Sequence, residues 1–197
     1  MPPKLTKPLR SSCLFSVGFE ALKVIAAISL VLLPSGSRAW AQMLTGSYVG
    51  NGVDNRSITG LGFRPDLVII KGNAAQDAVI RTSTMAGDAS KDLVDANPLT
   101  ANLIQSLDLN GFSFGNDPRV NSSGTSYFWA AFKAAPAELK VGTYLGNGKN
   151  NHAVTGVGFS PEYIVVLSSG AFNAIHRSLS MASSRMFRDD EIGRAHV

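Results

Sequence analysis

The sequence predicts an all-β protein of tandem antiparallel β-sandwich units, jelly-roll or immunoglobulin-like in kind, with the second unit incomplete. Three observations predict it. A stretch of the chain recurs 96 residues later without a gap. The apolar runs are short, rich in Val, Ile and aromatics, and bounded by Gly, Asn and Pro. Helical periodicity is nearly absent. A hydrophobic content of 45% against 16% charged residues excludes a disordered tail or a coiled coil, and 19 glycines imply many turns.

Residues 1–41 have the layout of a secretory signal peptide. Lys4, Lys7, Arg10 and Lys23 form a basic leader, Val24 to Leu33 is an apolar run, and Pro34 breaks it. Ala39-Trp40-Ala41 then supplies the small-x-small pattern of a cleavage site before Gln42. The run of ten residues is well short of the ~20 a membrane span needs, so no stable span is expected after cleavage. Cys13, the only cysteine, falls in this leader, which leaves the exported part without thiols or disulfides.

The leader also carries the charge. It holds Lys4, Lys7, Arg10, Lys23 and Arg38 against Glu20; removing these from 18 basic and 14 acidic residues leaves 13 of each. The formal +4 therefore belongs to the leader, and no electrostatic case for nucleic acid survives.

The repeat organises the rest. Gly46-Ser47-Tyr48-Val49-Gly50-Asn51-Gly52 recurs as Gly142-Thr143-Tyr144-Leu145-Gly146-Asn147-Gly148. Thr59-Gly60-Leu61-Gly62-Phe63-Arg64-Pro65-Asp66 recurs as Thr155-Gly156-Val157-Gly158-Phe159-Ser160-Pro161-Glu162. Leu67-Val68-Ile69-Ile70 returns as Tyr163-Ile164-Val165-Val166, and Arg81 and Met85 return as Arg177 and Met181. A period of 96 exceeds any solenoid unit and reads as tandem domains. Unit one is expected over 42–140 and a truncated unit two over 141–190. The latter lacks a counterpart of Ile104 to Lys133. Residues 191–197 read as the translation of a sequencing-adapter end, foreign to the protein.

Within unit one, Leu67–Ile70 reads as a strand buried on both faces and Ala78–Thr82 as the next. Leu107 to Phe114, with Asn110-Gly111 at its middle, reads as a hairpin turning on Asn-Gly. Ser126–Lys133 is a further strand with aromatics on both faces, and Pro98 to Leu107 is the one candidate for a short helix.

The Gly-x-Tyr-x-Gly-Asn-Gly and Thr-Gly-x-Gly-Phe-x-Pro-Asp/Glu patterns, at 46–70 and again at 142–166, resemble a family of uncharacterised β-sandwich repeats in secreted bacterial proteins, with relatives in phage tail and virion proteins. The resemblance extends through Arg81 to Met85 and the Tyr-Phe-Trp-Ala-Ala-Phe-Lys strand, and departs where Leu167-Ser168 replaces Lys71-Gly72. It implies surface display or adhesion in multi-copy proteins, and it carries over no catalytic residue.

The chemistry points the same way. Before the foreign tail the exported part has only His152 and His176, which align with Arg56 and Ile80 of unit one. A histidine-dependent triad or zinc site would thus exist in one copy only. Neither a Gly-x-Ser-x-Gly elbow nor a phosphate loop occurs, and the Gly60-Leu61-Gly62 run reads as a turn. Loop oxygens of Asn51, Asp54 and Asn55, or of Asp88, Asp92 and Asp95, could hold calcium, although Asp and Asn are first of all turn formers. Tyr127 and Trp129 fall on one strand face and could form a stacking platform for a sugar ring, with core packing as the plainer use of the same pair. The expectation is an exported, non-enzymatic surface or adhesion module with an extracellular glycan or cell-surface polymer as partner. A carbohydrate-binding accessory domain of a larger secreted enzyme and a phage-tail-like spacer are the alternatives.

Overall fold

The computed structural model describes residues 40–187. The expected signal peptide up to residue 39, Cys13 with it, and the expected foreign tail lie outside the described residues. Strands dominate: β1 (Gln42–Val49), β2 (Arg56–Thr59), β3 (Leu67–Gly72), β4 (Val79–Thr82), β5 (Lys91–Asp92), β6 (Ile104–Asp108), β7 (Gly111–Phe114) and β8 (Ser126–Lys133). A single-turn helix, α1 (Pro118–Asn121), precedes β8, and β9 (Tyr163–Val166), β10 (Ile175–Ser178) and β11 (Arg185–Met186) follow. The protein is all-β, as expected.

Two antiparallel sheets share one core. The first has the order β1-β8-β3-β4-β5 and the second β2-β7-β6. Side chains alternate across each strand, so one parity of each faces the other sheet. From the first sheet come Tyr48, Val68, Ile70, Val79, Tyr127, Trp129 and Ala131; Ile104, Leu107, Phe112 and Phe114 meet them from the second. Tyr48 stacks on Phe114 at 4.6 Å between ring centroids, and Trp129 meets Phe112 edge-on at 5.5 Å.

Two local expectations are corrected. The hairpin is real, but its turn is Leu109-Asn110, and Gly111 is the first residue of β7, paired with Asp108 and Thr59. Glycine is needed there because a β-carbon would come within 1.9 Å of the Ile58 carbonyl oxygen. Asn110 instead fastens the neighbouring turn: its carbonyl accepts from Gly60 N (3.0 Å) and its side chain from Gly62 N (2.6 Å). No helix forms between Pro98 and Leu107; Ile104 onward joins β6 because Ile104 and Leu107 are core residues opposite Phe112 and Phe114. The helix lies at Pro118–Asn121, where Asp117 caps it by accepting from Arg119 N at 2.9 Å and proline occupies the first turn.

Residues 141–187 build one three-stranded sheet, β11-β10-β9. Its β9–β10 pairing repeats that of β3–β4 at the sequence offset: Leu67 pairs Thr82 and Tyr163 pairs Ser178, Ile70 pairs Val79 and Val166 pairs Ile175. The turns repeat too. Positive φ recurs at Gly52 (70°) and Gly148 (68°), and at Asn55 (56°) and Asn151 (58°). Asn51 Oδ1 accepts from Val53 N as Asn147 Oδ1 does from Lys149 N, both at 3.0 Å. The third strand departs: β11 pairs Met186 with Ile175, two residues short of the register β5 would dictate.

The segment equivalent to β1, which includes Gly142 to Leu145, forms no strand. The sheet order explains it. In the first sheet β1 touches only β8, which separates it from β3. Without a β8 equivalent among the described residues, the Gly142 segment has no strand to pair with, whereas β9 and β10 can pair with each other.

Candidate functional site

The repeated motif builds structure. Gly46 stands opposite Trp129 across β1 and β8, and a β-carbon there would lie 2.5 Å from the indole Cζ2. The Tyr48 hydroxyl donates to the Val120 carbonyl, and its ring stacks on Tyr127 at 5.2 Å. Gly50 lets the Ser122 carbonyl pass within 2.1 Å of where a β-carbon would stand, and its own N donates to Thr125 O at 2.7 Å. Asn51 N donates to Asn121 Oδ1 at 2.9 Å. Burial pushes the Tyr48 hydroxyl far above its ordinary pKa; Tyr127 adds to this and Arg56, 5.1 Å from the ring centroid, works against it.

Tyr127 and Trp129 do share one face of β8, but it is the inner face, so the pair serves the core, the plainer of its two readings, and offers no sugar platform. Tyr127 is fully buried, its hydroxyl donating to Pro118 O at 2.6 Å, and Trp129 is 8% exposed. Small residues on the flanking strands were the sequence signal for this: Gly46 makes room for the indole and Gly72 for the Tyr127 ring.

Strand parity then places Phe128, Ala130 and Phe132 on the outer face. Phe128 is 57% exposed. Thr45 and Ser47 of β1, together with Ile69 and Lys71 of β3, share with it a shallow depression. Met43, paired with Phe132, extends the strip along β1. Lys71 Nζ is held at the rim, donating to Ala74 O at 2.9 Å and to Gln76 O. The strip combines an apolar ring, two hydroxyls and an amine. The sequence showed aromatics on both faces of β8 but not which face was open.

At the other end of this outer face the second hairpin is docked. Ile80, Leu93 and Ala174 are buried together, with Leu67, Ile69, Leu167 and Phe187 packed around them. Lys91, fully buried, donates to Gly170 O at 3.1 Å and to Asn97 O, while Asn173 Nδ2 donates to Val94 O. Burial lowers the Lys91 pKa, and Asp92 beside it works in the opposite direction.

The calcium expectation fares as its turn-forming alternative suggests. Asn51 Oδ1 is engaged by Val53 N; Asp54 Oδ1 accepts from Asn55 N (2.8 Å) and Gln105 Nε2 (2.9 Å), and Asp54 Oδ2 from Asn55 Nδ2 (3.2 Å). Asn55 itself takes the left-handed conformation that closes the turn. Asp88, Asp92 and Asp95 do not converge: Asp88 accepts from Asn102 N, and Asp92 is buried in a 2.8 Å pair with Arg119. Among the described residues no three His, Cys, Asp or Glu side chains gather as a metal would require.

A buried cationic knot missed at the sequence level ties the loops between β4 and β6. Arg81 Nη1 donates to Ala89 O and to Ile104 O (3.2 Å), and Nη2 to Met85 O (3.3 Å) and Gly87 O. Burial lowers its pKa while Asp88 opposes the shift. Arg177, its equivalent in the repeat, is exposed.

These elements define an all-β domain with two packed antiparallel sheets. A family profile described as a domain of unknown function (DUF7483) matches residues 41–139, half of the chain, and the chain belongs to that family. No curated protein and no solved structure matches the chain. Among the described residues no helix is long and apolar enough to cross a membrane.

Proposed function

We propose that the protein is an exported, non-enzymatic adhesion or binding module of repeated β-sandwich units, whose partner is an extracellular glycan or cell-surface polymer. The single observation that carries the reading is the outer strip around Phe128. An exposed aromatic ring can stack on the apolar face of a sugar, and the hydroxyls of Thr45 and Ser47 beside it can exchange hydrogen bonds with sugar hydroxyls. The recurrence of the β3–β4 register in β9–β10 supports the repeat, and the leader of residues 1–41 supports export.

A glycan array tests it, run with the wild type and with Phe128→Ala, each with and without calcium. The reading expects selective binding to a subset of glycans, lost in Phe128→Ala and indifferent to calcium. Absence of any glycan binding, or binding untouched by Phe128→Ala, overturns it and leaves the spacer reading.

A further inference from the structure

The loop between β9 and β10 is the counterpart, 96 residues on, of the loop between β3 and β4, and in both the same carbonyl meets a lysine. In the first loop the amine is local: Lys71 Nζ donates to Ala74 O at 2.9 Å and to Gln76 O. In the second, Leu167 stands at the position of the lysine, and Gly170 O, the equivalent of Ala74 O, accepts at 3.1 Å from Lys91 Nζ. The Leu167 side chain packs instead against the buried cluster of Ile80, Leu93 and Ala174. Two more hydrogen bonds cross the same joint: Leu99 N donates to Ser169 O at 3.2 Å, and Asn173 Nδ2 to Val94 O. Lys91 has no exposed surface, so its ammonium relies on the acceptors it finds there, Gly170 O and Asn97 O. Gly170 O also accepts from Phe172 N at 2.9 Å, which engages both of its lone pairs.

We propose that this one position decides which loop enters the joint: a lysine closes the loop on itself, whereas a leucine leaves the carbonyl to Lys91 and adds apolar surface against Ile80 and Leu93. The face formed by Ile80, Lys91 and Leu93 is then a socket. Its partner is the β3–β4-type loop of a following repeat unit, provided that loop carries an apolar residue at the Lys71 position. Unit one, with Lys71, offers the socket and does not enter one. The selection has two physical causes. A lysine at 167 would bring a second ammonium to a carbonyl whose lone pairs are already engaged, and like charges repel at that distance. It would also replace an apolar side chain in the cluster with a charged one. The inference rests on the repeat reading put forward above.

The test is amide hydrogen exchange on the full chain, read at Leu99, whose N–H crosses the joint, and at Ile70 and Trp129 in the core of unit one. Leu167→Lys should speed exchange at Leu99 by about tenfold or more and leave Ile70 and Trp129 protected as in the wild type. Leu167→Met, apolar and of similar volume, should leave all three unchanged. Lys91→Met should release Leu99 as well. In the double variant Leu167→Lys with Lys91→Met the two effects should be less than additive, since both act on Gly170 O, whereas a general loss of packing at 167 would add in full. The proposal is overturned by Leu99 unchanged in Leu167→Lys or in Lys91→Met, by equal release in Leu167→Met, by full additivity, or by core protection lost together with the joint. Glycan binding by the wild type is a separate readout. Failure of the joint therefore leaves the adhesion reading standing, and failure of glycan binding leaves the joint.

Discussion

Gly46 of β1 lies beneath the indole of Trp129 in β8, with 2.5 Å between the ring and the point a β-carbon would occupy. That relationship explains the first glycine of the repeated motif. Gly46→Ala should force the indole out of its place against Phe112 and cost about 1–3 kcal/mol in chemical denaturation. Gly142→Ala, with nothing within 4 Å of its β-carbon, should change stability by no more than about 0.5 kcal/mol.

Trp129 and Phe128 are neighbours in sequence with opposite duties. Trp129→Ala should cost about 3–5 kcal/mol, because it empties the space between the two sheets. Phe128→Ala should leave the melting temperature almost unchanged while abolishing glycan binding. Thermal melts and the array on the same two preparations check the pair. Equal destabilisation by both would contradict the assignment of inner and outer faces.

Arg81 and Arg177 are equivalent in sequence and unequal in structure. Arg81→Met strips hydrogen bonds from four backbone carbonyls and should cost about 2–4 kcal/mol; Arg177→Met, on an exposed side chain, should fall within about 0.5 kcal/mol. Urea midpoints of the two variants decide the matter.

Asp117 gives the fold an acid-sensitive corner. Burial works to raise its pKa, but hydrogen bonds from the Arg119 side chain and backbone N, together with the Arg119 charge, more than offset that and hold it below the ordinary value. A carboxylate with a depressed folded pKa contributes stability above its unfolded pKa and loses it as pH falls through the folded one. As pH falls through and below the usual carboxylate range the wild type should therefore lose more stability than Asp117→Asn, measured by denaturation at stepped pH. Parallel losses in the two proteins would refute the role.

Chelation should move the melting temperature by less than about 1 °C, since the oxygens of Asn51 and Asp54 are already engaged within their loop. A marked calcium-dependent rise would return that loop to the list of metal sites.

Much of the fold was legible because its signals are local. The β8 strand was bounded at Ser126–Lys133, and the β3 and β4 strands followed from β-branched runs. The hairpin at Leu109-Asn110 was visible but misplaced by one residue, since Gly111 answers to the Ile58 carbonyl on another strand, which no local pattern reveals. The helix at Pro118–Asn121 is a single turn, too short for periodicity to mark, and only Asp117-Pro118 hinted at it. The site was harder. Parity paired Tyr127 with Trp129 correctly, but which side of β8 is covered depends on the β2-β7-β6 sheet, whose placement is a long-range fact. The docking of the second hairpin on Ile80 and Leu67 depends on packing between residues about a hundred apart in sequence, and no spacing announces it.

On the proposed function, ligand binding belongs to the outer strip while the repeated motif builds the core. Titrating the protein with any glycan that the array returns as bound, and mapping amide shifts by NMR, tests this most directly. Perturbations should centre on Thr45, Ser47, Ile69, Lys71 and Phe128. Shifts centred instead on the Asn51–Asn55 loop, or spread through the core with that strip silent, would contradict it.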